Sequence, residues 1–125
     1  MSNTHSHGRN DLAYARQVEA ALLEFLRDRN ARHETLVIAT VGKVRIAIDA
    51  ADALLERADD SQASAIAFRL AAAEGARLAD EAYFELAGRS VARPEVSGGE
   101  PVLATQRRLL GDHYLNGAAL ADGLG

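Results

Sequence analysis

A chain of 125 residues is long enough for one domain with a single core, and 48% apolar with 26% charged residues is an ordinary soluble composition. The lack of cysteine excludes disulfides and thiolate-bound zinc, while a net charge of −4 with one adjacent basic pair, Arg107 and Arg108, argues against nucleic acid as a partner. No uncharged apolar run approaches the ~20 residues of a membrane span, because Lys43 and Arg69 stop the longest ones, so a cytoplasmic protein with no membrane association is expected.

Residues 1–10 are polar, lack an apolar signal core and read as a disordered tail. His5 and His7 in that tail are read as incidental, and no metal site is expected. Asn10 or Asp11 can cap a first helix, since a short side-chain oxygen satisfies free N–H groups of the first turn. Leu12, Val18, Leu22, Phe25 and Leu26 then form its apolar face, which ends near Arg32.

From about Thr35 to Ala58, seven apolar residues recur in an unbroken four-then-three rhythm: Val37, Val41, Val44, Ile48, Ala51, Leu55 and Ala58. Helical neighbours across a turn lie three or four residues apart, so this stripe predicts one long helix with a narrow, seam-like buried edge. Leu36, Val37, Ile38 and Val41 are β-rich, and Gly42 would suit the end of a short strand. The stripe passes Gly42 without a phase shift, which favours the helix.

Asp59, Asp60 and Ser61 close this helix and cap a third that reaches Ala87, where Gly88 is the stop. Its expected buried side is small: Ala67, Ala71, Gly75, Ala79 and Ala82, flanked by Ile66, Leu70, Leu78 and Leu86. Gly75 costs about 1 kcal/mol relative to Ala in a helix interior, which points to close contact with the second helix ahead of room for a ligand. Arg89 to Pro101 holds both prolines and the Gly98-Gly99 pair and is a loop. Pro101 starts a fourth helix with Leu103, Leu109, Leu110 and Tyr114 on its apolar side, Asn116-Gly117 ends it, and 118–125 form a small-residue tail. The expected fold is all-α, an antiparallel four-helix bundle over residues 11–117.

Chemistry is sparse. Gly-rich phosphate loops, zinc-type His/Glu pairs and nucleophile elbows are missing. Glu74, Arg77 and Glu81 have the spacing of a solvated salt-bridge ladder. Lys43, Arg45, Asp49 and Asp52 form either a polar outer face or a charged rim at a subunit contact. Asp112, His113 and Tyr114 are adjacent and so point in different directions on a helix. The candidates for acid–base work are His113, Tyr83 and Glu74.

Three segments carry a resemblance. Ala51-Asp52-Ala53-Leu54-Leu55-Glu56-Arg57-Ala58 resembles the second helix of the C-terminal domain of acyl-CoA dehydrogenase-like flavoenzymes, closest to the dibenzothiophene monooxygenase-type branch. Tyr83-Phe84-Glu85-Leu86-Ala87-Gly88-Arg89-Ser90 is similar to that branch's helix end before a glycine pair, and Gly111-Asp112-His113-Tyr114-Leu115-Asn116-Gly117 to its closing segment. The three fall in family order. Ala87 replaces the first glycine of the pair, and the following loop lacks the family's His and Trp. The resemblance implies a four-helix domain without the family's N-terminal and middle domains, which hold much of the flavin. It therefore implies no cofactor bound by the chain alone. FAD or FMN would be met by Gly88 and Arg89 only in complex with a larger flavoprotein subunit. Family bundles pack together, so a homo-oligomer is expected. The resulting expectation is a small helical subunit that self-associates and completes a split flavin-dependent oxidoreductase or monooxygenase acting on a small organic or acyl substrate. The alternative is a stand-alone, flavin-free enzyme with a pocket in the bundle.

Overall fold

The computed structural model describes residues 5–29, 33–91 and 100–120, and these form four helices and no strand. They are α1 (Ser6–Arg27), α2 (Thr35–Leu55), α3 (Gln62–Ala87) and α4 (Glu100–Asn116). The all-α class is as expected. No helix among the described residues is long and apolar enough to cross a membrane.

The longest helix, α3, is the centre of the molecule: it touches α1, α2 and α4, while α4 packs on α3 alone. Its ends follow the local chemistry of the sequence. Ser61 is extended and its hydroxyl accepts the Ser64 N–H at 3.0 Å, satisfying one of the orphan donors of the first turn. Gly88 adopts φ 75°, the left-handed conformation that lets its N–H reach the Phe84 carbonyl and close the helix. Gly117 does the same after α4, with φ 72°.

The α2 stripe is the edge it buries. Val37, Val44, Ile48, Ala51 and Ala58 are buried, and Val41 and Leu55 pack half-buried against the same core. Across it lies Gly75, where an added Cβ would stand 3.8 Å from the Ala47 carbonyl oxygen and 4.0 Å from the Ile48 nitrogen. The glycine therefore marks close contact with α2, as the sequence favoured, and the contact still has room for a methyl group. Gly75→Ala is expected to stabilise the protein by about 1 kcal/mol through helix propensity alone. A urea titration showing a lower midpoint would mean that α2 sits closer.

Several boundaries differ from expectation for identifiable reasons. α1 starts at Ser6, inside the segment read as a tail, because its first turn is held by tertiary contacts. Gly8 is buried against Phe68, the His5 ring stands edge-on to Phe68 at 6.0 Å, and His5 Nε2 lies 2.7 Å from Asp59 Oδ1. Neither Asn10 nor Asp11 is the cap: both lie within the helix, Asp11 is buried, and His5 occupies the cap position with no side-chain hydrogen bond to the helix's first turn. The helix ends at Arg27, before the expected Arg32, which lies outside the described residues together with residues 1–4, 30–31, 92–99 and 121–125. α2 is helical from Thr35, so the strand alternative at its start is not adopted. It stops at Leu55, three residues before Ala58, where the N–H groups of Arg57 and Ala58 turn to the carbonyls three residues back.

The buried face of α3 is broader than its small-residue stripe. Phe68, Ala72 and Ala76 are fully enclosed, whereas Ala67, Ala71, Leu70, Leu78 and Leu86 are half-buried, because helices pack on more than one side of α3. On α4, Leu103, Leu109 and Leu110 are half-buried, but Tyr114 is 72% exposed and leaves the apolar side. Gln106, one turn from Leu103 and Leu110, is the buried residue of that face.

Candidate functional site

The acid–base candidates are spread over the fold and each has a structural task. Glu74 and Tyr83 both lie on α3, nine residues and so ~13.5 Å apart along its axis. Glu74 and Glu81 grip Arg77 from either side, at 2.6 and 2.8 Å, on the solvent face, as the spacing suggested. The hydrogen bond from Arg77 holds the Glu74 carboxyl below its usual range, so this modest, salt-screened support is present near neutrality and lost as pH falls through the lowered value. The Tyr83 ring is buried, with its hydroxyl accepting from Arg89 Nη2 at 3.2 Å. His113, on α4, has Nδ1 2.8 Å from the Ala118 carbonyl oxygen and so ties down the chain leaving the helix. Its neighbour Asp112 accepts from Asn116 Nδ2 at 2.8 Å. Gly88 serves as the α3 cap with Arg89 beside it. Nothing brings His113, Tyr83 and Glu74 together around one reacting atom.

Among the described residues, no group of three or more His, Cys, Asp or Glu has the arrangement of a metal site. A groove of about 360 Å³ opens between the end of α1 and the start of α2, lined by Leu23, Leu26, Arg27, Val37, Ile38 and Val41. It is apolar apart from Arg27 at its edge.

The charges of α2 do more than face solvent, and they meet another helix of the same chain. Arg45 Nε lies 3.2 Å from Glu19 Oε2 and its Nη1 3.3 Å from Asp49 Oδ1, while Arg16 Nη2 lies 2.7 Å from Asp52 Oδ1. Glu19 is buried on α1, and a half-exposed guanidinium offsets the cost of desolvating its carboxylate. Sequence reasoning passed over Glu19, although it lies one turn from both Ala15 and Leu22 on the apolar face.

The remaining side of α2 is uncovered. Leu36, Ala39, Lys43, Ile46, Ala50 and Ala53 are all exposed, Leu36 at 81% and Ile46 at 71%. Their spacing of three, four, three, four and three is itself that of a helix–helix seam. At ~100° per residue, this row runs roughly 150° around the axis from the buried stripe. Thus α2 carries two seams, and the chain covers one of them. On α4, Tyr114 and Leu115 are also uncovered, at 72% and 83%.

No protein-family model, no curated protein and no solved structure matches the chain.

Proposed function

We propose that the chain is a helical association subunit whose second helix pairs with α2 of a second copy. The observation that carries this reading is the exposed row from Leu36 to Ala53, which has seam spacing and one charge, Lys43. Side by side in the same direction, two rows would oppose Lys43 to Lys43. Antiparallel, with the axis between Lys43 and Ile46, they set Leu36 opposite Ala53, Ala39 opposite Ala50, and the Lys43 stem along Ile46. Large against small and small against small lets the backbones approach, and the ammonium reaches water at the rim. The antiparallel mode is therefore favoured.

Within the chain, too, we read the helices as an antiparallel bundle. Arg16 pairs with Asp52 and Glu19 with Arg45, so numbers rise along α1 as they fall along α2. Gly8 meets Phe68 and Tyr14 meets Asp80, so α1 and α3 rise together.

The family-ordered motifs add a second element to the proposal: the associated bundle completes a split acyl-CoA dehydrogenase-like flavoenzyme, presenting Gly88 and Arg89 to FAD or FMN on a larger subunit. Its support is the order of those motifs. The stand-alone enzyme gains no comparable support, since its candidate groups are dispersed and occupied.

Sedimentation equilibrium at micromolar concentration, followed by both protein and visible flavin absorbance, tests both elements. A colourless species at twice 13.3 kDa supports the pairing, and a 13.3 kDa monomer refutes it. Chain from a native extract that sediments in a larger yellow complex supports the flavoenzyme element; colourless chain throughout removes it.

A further inference from the structure

Near the end of α1, two arginines converge on one aromatic ring. Arg29 Cζ lies 4.1 Å from the Phe25 ring centroid, and Arg89 Cζ lies 5.9 Å from the Phe25 centroid and 5.9 Å from that of Tyr83. The two guanidinium carbons are consequently within about 10 Å of each other. Phe25 and Tyr83 themselves pack at 6.4 Å, joining the end of α1 to the end of α3.

Cation–π contact holds each guanidinium at the ring, and both side chains are exposed, so their forked N–H groups are open to a ligand from solvent. Arg16, Arg45 and Arg77 each meet a carboxylate within 4 Å, whereas neither Arg29 nor Arg89 does so among the described residues. This happens in a chain with 18 acidic residues against 14 basic ones. Tyr83 supplies the third element. It is 5% exposed, its hydroxyl oxygen accepts from Arg89, and its own proton has no acceptor among the described residues. Two forked guanidiniums and a hydroxyl donor, on a rigid aromatic floor, match an anion with several terminal oxygens.

We propose that Arg29, Arg89 and Tyr83, gathered around Phe25, form a binding site for the phosphate group of a small molecule. The anion accepts from the two guanidiniums and from the Tyr83 hydroxyl. This site uses no residue of the exposed α2 row and so stands apart from the association reading; it shares Arg89 with the flavoenzyme element, and phosphate binding by the chain alone is read separately from any flavin-bearing complex.

Inorganic phosphate is the probe. It is expected to raise the thermal midpoint of the protein above that in sodium chloride of equal ionic strength, in a saturable way. Its ³¹P resonance should broaden in the presence of the protein. Arg29→Gln and Arg89→Gln should each weaken phosphate binding at least tenfold, and Tyr83→Phe severalfold. Arg16→Gln, which removes an exposed guanidinium elsewhere, should leave binding unchanged. The ³¹P measurement on the unaltered protein keeps the test decisive if an arginine variant folds poorly. Phosphate that acts no differently from chloride, or binds equally well to Arg29→Gln and Arg89→Gln, overturns the proposal.

Discussion

Ile48→Asp is expected to leave no cooperatively folded protein at room temperature. Ile48 is fully buried in the middle of the α2 stripe, between Val44 and Ala51, which are 1% and 0% exposed. The substitution forfeits roughly 1.5–3 kcal/mol of apolar burial and places a carboxylate within the apolar core. An unpaired buried charge costs several kcal/mol more, and a domain of this size has only about 5–15 kcal/mol in total. The same residue placed two positions earlier, in Ile46→Asp, faces water and should leave the melting curve of the monomer nearly unchanged. Circular dichroism melts of the two variants check this directly. A cooperative transition for Ile48→Asp within a few degrees of the unaltered protein would show that the stripe is not buried.

Phe68→Ala should cost about 3–5 kcal/mol, the usual range for deleting a buried ring. Among the described residues Phe68 is the largest side chain with no exposure, and it does two things at once. It fills the interior beneath α3, and it is the surface on which the first turn of α1 rests. A Cβ on Gly8 would come 2.5 Å from the ring, so the glycine is there to admit it. Removing the ring should therefore release the early turn as well as destabilise the whole. Urea unfolding gives the first effect, and hydrogen exchange at the amides of residues 9–12 gives the second as a loss of protection beyond the global one. A cost under 1 kcal/mol, or exchange that follows only global stability, would contradict this role.

That first turn shows what a sequence withholds. The 4–3 rhythm of α2, the Ser61 cap and the Gly88 stop are local signals, legible because the chemistry that sets them lies within a few residues. The start of α1 is different. Ser6, His7 and Gly8 have no helical pattern of their own, and they are ordered by Phe68 and Asp59, more than fifty residues away. Likewise, Gln106 and Glu19 look like surface residues by type, and only the neighbours they meet make them buried. The candidate site was less legible still. His113 and Glu74 were singled out for their chemistry, yet the fold spends them on a chain end and an exposed ion pair. The second row of α2 is not legible in the sequence, because Ala39, Lys43, Ala50 and Ala53 are ordinary surface residues by type until the first row is covered. Gly88 and Arg89 belong to the resemblance, and the flavin it implies remains part of the proposal.

We propose the exposed row of α2 as an interface between two copies. Sedimentation equilibrium on the unaltered protein and on Ile46→Asp tests it most directly, because Ile46 adjoins the proposed two-fold axis and contributes nothing to the chain's own core. A dimer is expected for the former, and for the latter a monomer of 13.3 kDa with its helical content intact. A dimer that persists in Ile46→Asp, or a monomer in both, would contradict it.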